Sequence, residues 1–257
     1  MMITLRIGAL RRTSPGSAAP CGRRNKHLAV SALFVLLFFA ASISPAAALE
    51  GRWTDIEGTS RFRDMGGYPA GGSTVRTGVL FRSDDLSKIT SGGVDELRNL
   101  GIVTVVDLRS DAKDSSRIEE LSGGAITVTK LPMVADPIKD KNDYYKRMIV
   151  NSRQSLIGLL IVLADREKLP MVMFDEDGIN EVDVAGQFIL LSLGVPGPDV
   201  ISDYLLTNER GAALKPQWGE IIMRYFEEYG GMDYYATRIL GLSGDQLDRV
   251  RENLITH

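Results

Sequence analysis

The residues best suited to chemistry lie in one run, Phe174-Asp175-Glu176-Asp177-Gly178-Ile179-Asn180-Glu181-Val182-Asp183. Five carboxylates stand in the nine residues from Asp175 to Asp183, with the amide of Asn180 among them. Carboxylates can attack, donate or accept protons, or present hard oxygens to a divalent cation. Asp175, Asp177 and Glu181 are therefore candidate metal ligands, and Mg²⁺ or Ca²⁺ are the ions such donors suit. The spacing is not that of an EF-hand, which needs glycine at its sixth loop position and Glu at its twelfth. Absences elsewhere narrow the chemistry further. The one Cys is Cys21, and the two His are His27 and His257, so from residue 49 onward there is no Cys and a single terminal His. This excludes a thiolate nucleophile, a Ser-His-Asp triad, a disulfide and a His- or Cys-based zinc site in that part of the chain.

Residues 1–48 differ in kind from the rest. Arg6, Arg11, Arg12, Arg23, Arg24 and Lys26 come without any acidic residue, Leu28 to Ala41 is almost wholly apolar, and Ala46-Ala47-Ala48 follows. That is the three-part pattern of a secretory signal, so residues 1–48 are expected to be a signal peptide and residues 49–257 a periplasmic or secreted domain. The apolar stretch is also about long enough for an uncleaved anchor, the one route by which the chain would touch a membrane. Pro45 and the small residues before Leu49 favour cleavage. Six of the 30 basic side chains and none of the 33 acidic ones precede residue 49, which leaves residues 49–257 with a formal charge of −9. Such a charge repels phosphate backbones, so nucleic acid is not an expected partner.

The elements that must position the acidic run alternate between strand and helix. Val79-Leu80-Phe81 reads as a short strand, and Ser91 precedes a helix through Leu97 that Gly101 ends. Ile102 to Leu108 is a β-branched run without alternation, which suits a strand covered on both faces. Ile126 to Leu131 gives another strand, residues 141 to 166 a long helical stretch with a broad apolar part from Leu156 to Leu163, and Pro170 to Phe174 a further strand. The acidic loop follows, then an apolar helix from Val184 to Leu193 that Gly194 stops, and from Pro198 onward only helices. The expected fold is α/β, with a central, mostly parallel sheet, helices on both faces and a helical C-terminal third. Ligands in such folds sit beyond the carboxyl ends of strands, the place that residues 175–183 take in sequence.

Several motifs resemble a known family. Arg61-Phe62-Arg63-Asp64-Met65-Gly66-Gly67-Tyr68, Leu80-Phe81-Arg82-Ser83 and Val105-Val106-Asp107-Leu108-Arg109-Ser110 are similar, in order, to the N-F-R-D-L-G-G-Y, L-F-R-S and V-V-D-L-R-S motifs of the atypical bacterial tyrosine phosphatases. Leu190 to Pro196 and Asp203 to Leu206 resemble that family's helix pair after the active loop, so the likeness spans about residues 55–255. The resemblance implies a cysteine-dependent phosphatase fold, a phosphorylated ligand and no cofactor. It also implies a signature H-C-x-x-G-K-D-R-T-G, whose thiolate attacks while backbone amides and the Arg hold the phosphate.

Counting back from Gly194 lays that signature on Phe174 to Asp183. The nucleophile position is then Asp175, the Lys position Ile179 and the Arg position Glu181, with Gly178 retained and Asp107 at a possible general-acid position. A loop so acidic should exclude bare phosphate, and Arg63, Arg82 and Arg109 are expected to pair with nearby carboxylates. One reading is a pseudophosphatase that acts by binding an unknown protein or phosphorylated ligand. Another rests on Asp175-x-Asp177-Gly178, which resembles the D-x-D-G motif of haloacid-dehalogenase-like phosphatases, with Asp175 as nucleophile beside Mg²⁺. A third is a divalent-cation site without catalysis, and a fourth is a loop that has drifted.

Overall fold

The structure, a computed structural model, describes residues 52–110, 116–134 and 136–256; residues 1–48, where a signal peptide is expected, and His257 lie outside them. The strands are β1 (Arg63–Asp64), β2 (Pro69–Ala70), β3 (Ser73–Thr74), β4 (Leu80–Ser83), β5 (Thr104–Asp107), β6 (Thr127–Lys130) and β7 (Met171–Phe174). The helices are α1 (Ser91–Asn99), α2 (Ser116–Ser122), α3 (Lys141–Asn151), α4 (Arg153–Ala164), α5 (Asn180–Ser192), α6 (Gly197–Leu206), α7 (Pro216–Glu228), the short α8 (Met232–Tyr234) and α9 (Gly244–Leu254). The main sheet runs β1-β4-β7-β5-β6, with β2 and β3 forming a separate ribbon. The pairs β4–β7, β7–β5 and β5–β6 are parallel, and only the edge strand β1 is antiparallel.

Both faces of the sheet are covered, which is why its central strands read as continuous apolar runs. Successive side chains of a strand point to opposite faces. Val172 and Phe174 of β7 accordingly enter a smaller core with Phe62, Phe81, Val94, Leu97 and Val105, under α1 and α2. Met171 and Met173 enter the larger core with residues of α3 to α9. Fully burying each such side chain contributes roughly 1.5–3 kcal/mol. The central strand β7 is therefore fixed from both sides, and so is the loop that leaves its carboxyl end. The expected α/β architecture with a helical C-terminal third is the observed one.

The local differences have physical causes. The expected long helix of residues 141–166 is two helices, α3 and α4, bent by 63°. The break falls at Ser152, whose hydroxyl accepts from the Val134 amide at 2.9 Å, while Ser155 of the next turn donates to the Pro132 carbonyl at 2.5 Å. Both bonds tie the bend to the segment after β6. The cap of α1 is Thr90, which accepts from the Gly93 amide at 3.1 Å, so Ser91 lies inside the helix. Helix α5 begins at Asn180, four residues before the expected Val184, because Asp175 of the acidic loop accepts from the Glu181 and Val182 amides of its first turn.

Candidate functional site

The site lies where β7 ends and α5 begins. Asp175 follows the last residue of β7 and is 1% exposed. Its Oδ1 accepts from the amides of Asp177 (3.1 Å) and Gly178 (2.5 Å), and its Oδ2 accepts from those of Glu181 and Val182 (both 3.1 Å). Backbone amides at a helix N-terminus have no partner within the helix, and they carry a partial positive charge. Here one carboxylate satisfies four amides of the turn. The Asp177 side chain takes a fifth, from Ile179 at 3.0 Å. Gly178 makes this turn possible, with φ at +72° and a position where a Cβ would come within 3.2 Å of the Asp84 backbone nitrogen.

Arginines hold the turn from outside. Arg82 of β4 donates to the Gly178 carbonyl at 2.9 Å and to Asp183 Oδ1 at 2.6 Å. Arg61 donates to the Asp177 carbonyl, and through Nη2 to the Arg210 carbonyl at 3.1 Å. Arg63 meets Asp203 of α6 in a two-pronged pair, Nη1 to Oδ1 at 2.5 Å and Nη2 to Oδ2 at 2.9 Å, and Tyr68 donates to the same carboxylate at 2.9 Å. Arg109 reaches Asp107 through Nε at 2.9 Å and Nη2 at 2.7 Å, and lies over the Phe174 ring. The expectation that Arg63, Arg82 and Arg109 pair with neighbouring carboxylates is met. Asp107, named as a possible general acid, is 3% exposed, and both its oxygens accept from Arg109.

Burial and crowding shift the acids upward. Burial, with the charge of Asp177, pushes Asp175 up to about 6 despite the opposing amide bonds. Burial and the charge of Asp175 push Glu181 up to about 8. Asp183 is pushed up to about 7 by burial, against the pull of Arg82. Asp203 goes the other way: burial alone would raise it, but Arg63, Arg82 and Tyr68 outweigh burial and lower it. Tyr144 of α3 is raised by burial and then by Glu181, Asp177 and Asp175, which places its hydroxyl in the field of the turn.

The structure therefore brings Asp175, Asp177 and Glu181 to one turn, as their spacing suggests. Both Asp175 oxygens face backbone amides, and among the described residues no group of three or more His, Cys, Asp or Glu side chains is arranged to hold a metal ion. The capping role of Asp175 has no local signature. It spans six and seven residues, beyond the distance at which a helix cap is read from sequence. Lys141 and Tyr144 also border the turn, and the acidic string gave no hint of them: the Lys141 ammonium lies 3.4 Å from Asn180 Oδ1 and the turn's carboxylates act on the Tyr144 hydroxyl.

Residues 54–226 match the tyrosine phosphatase family. The chain belongs to that family. The triple specificity protein phosphatase PtpB of Mycobacterium tuberculosis is 32% identical over 213 residues, covering 67% of this chain and 75% of that protein. Among solved structures, the catalytic core of the PP-IP phosphatase SIW14 from S. cerevisiae is 10% identical with a TM-score of 0.44, over 63% of this chain and 88% of that one. P. aeruginosa TpbA is 16% identical with a TM-score of 0.34, over 70% of this chain and 88% of that one. In this chain the strand-to-helix turn is a cradle of amides filled by its own Asp175 carboxylate.

Proposed function

We propose that this chain is an exported, catalytically inactive member of the tyrosine phosphatase family that acts by binding a partner. The observation that carries this reading is the Asp175 carboxylate seated on four backbone amides of the β7–α5 turn. By the motif count, Asp175 stands where the family's thiolate would be and Glu181 where its phosphate-binding Arg would be. Amides at such a turn are what a phosphate needs, and here an internal anion already uses them. An incoming dianion would also meet Asp177, a like charge costing roughly 1–4 kcal/mol at 4 Å between aqueous and near-surface dielectrics.

An aspartate-nucleophile mechanism draws no support from this geometry. Such a carboxylate must offer an oxygen to substrate beside a metal, whereas both oxygens of Asp175 accept amide hydrogens inside the protein. The test is hydrolysis of a phosphotyrosine analogue by the full chain, with and without Mg²⁺, against a chain lacking the Asp175 carboxylate (Asp175→Asn). No turnover above that control is expected. Turnover that disappears with Asp175→Asn would sink the inactive reading and revive the aspartate mechanism.

A further inference from the structure

We propose that Tyr144, Tyr145 and Trp218 form a binding site for an alkylammonium group, the side chain of a lysine on a partner protein, with Lys141 as its resting occupant. This rests on the reading of the chain as a binding protein and names the chemistry of the partner.

The Lys141 ammonium lies 4.6 Å from the Tyr144 ring centroid, 5.3 Å from that of Tyr145 and 5.5 Å from that of Trp218. Three rings from α3 and α7 thus surround one cation, each within the roughly 6 Å at which a ring face attracts an ammonium. Tyr145 is fully buried, while Tyr144 and Trp218 are half-buried and reachable from solvent. The carboxylates of Asp177 and Asp175 act on the Tyr144 hydroxyl, so its ring sits in a negative field that adds to its attraction for a cation.

Lys141 is poorly matched to the place it occupies. Among the described residues it makes no ion pair, and its one polar contact is the long 3.4 Å approach to Asn180. It is also the first residue of α3, where the helix dipole disfavours a cation. A second ammonium, Lys215, lies 5.3 Å from the Trp218 ring; it is exposed, so water and salt screen it. A lysine carried by a partner would gain the rings and the acidic turn without the constraint of the helix start. A choline lipid offers the same kind of headgroup, but its phosphodiester would meet the charge of Asp177, which is why the partner is a protein.

The test follows the Trp218 indole N–H signal of the full chain by NMR, identified with Trp218→Leu. The probes are tetramethylammonium chloride, sodium chloride at equal ionic strength, phosphocholine, and a lysine peptide against the same peptide with glutamine. Saturable shifts are expected with tetramethylammonium and the lysine peptide but not with sodium, and more weakly with phosphocholine. Lys141→Ala, or Lys141→Gln should the first misfold, should lower the half-saturating concentration about tenfold by removing the competitor. Equal responses to sodium and tetramethylammonium in parent and variant, or tighter binding of phosphocholine than of the lysine peptide, would overturn the proposal. These readouts do not depend on hydrolysis, so they fail separately from the inactive reading.

Discussion

The fold should lose stability as pH rises from about 4 to about 8.5, and the acidic turn is the reason. Asp175 goes from its ordinary 3.8 to about 6, Glu181 from 4.5 to about 8 and Asp183 from 3.8 to about 7. An acid whose folded value lies above its unfolded one keeps its proton longer in the folded state. Between the two values the folded protein holds protons that the unfolded chain has released, so raising the pH favours unfolding. Asp175 alone, shifted by about 2 units, corresponds to roughly 3 kcal/mol at 1.36 kcal/mol per unit. Glu181 shares its titration with Asp175, so the two act as one pair and their shifts do not add. For a domain of this size that is a fall in melting temperature of about 6–12 °C. Asp203 has the opposite sign: its lowered value contributes stability above the unfolded value that is lost in acid. The optimum should therefore lie near pH 4. The assay is calorimetric melting of the full chain across this range, beside Asp175→Asn. The Asn oxygen can still accept from Asp177 and Gly178, but its amide group faces the Glu181 and Val182 amides. The variant should thus melt lower at pH 5 and show a shallower decline. A parent melting temperature that is flat or rises with pH, or an unchanged slope in Asp175→Asn, would refute the reasoning.

Arg63→Ala should destabilise the fold by about 3–5 kcal/mol, measured by urea unfolding, because Asp203 would stay buried without its two-pronged partner; a loss below about 1 kcal/mol would place the pair among exposed ones. Melting temperatures with millimolar Ca²⁺ or Mg²⁺ and with chelator should be equal, since the amides already use both Asp175 oxygens; a rise of several degrees would instead assign Asp175, Asp177 and Glu181 to a cation. In a Gram-negative host the chain should be recovered from the periplasm shortened near Ala48, as mass spectrometry of its N-terminus would show; Met1 retained in a membrane fraction would favour an anchor.

Much of the fold is legible because its central strands announce themselves. Ile102 to Leu108 and Pro170 to Phe174 are short, largely apolar runs without alternation, the first rich in β-branched residues, which suits a strand buried on both faces, and the structure places β5 and β7 within those runs. The short strands β1, β2 and β3 and the helix α2 carry no such pattern: two-residue strands are defined by their partners rather than by their own composition. The bend at Ser152 is equally hidden. Residues 141–166 form one helical stretch on periodicity, and the break depends on bonds from Ser152 and Ser155 to the segment at Pro132 and Val134.

The site is legible in place but not in electrostatics. Read along the chain, five carboxylates in nine residues imply mutual repulsion. The fold sorts them into different surroundings instead. Asp175 faces inward to four amides, Asp183 meets Arg82, Asp177 caps the Ile179 amide, and Glu176 is exposed. Repulsion remains chiefly where Asp175, Asp177 and Glu181 act on one another, and there it appears as raised proton affinity. Charge density in sequence overstates the cost because dipoles and arginines contributed by distant segments are not visible in it. Arg82 lies 101 residues from Asp183, and the amides that hold Asp175 converge only when β7 is pinned between two cores. An acidic run after a buried strand can therefore be a helix cap, a ligand site or both, and only the direction in which the first carboxylate points decides among them.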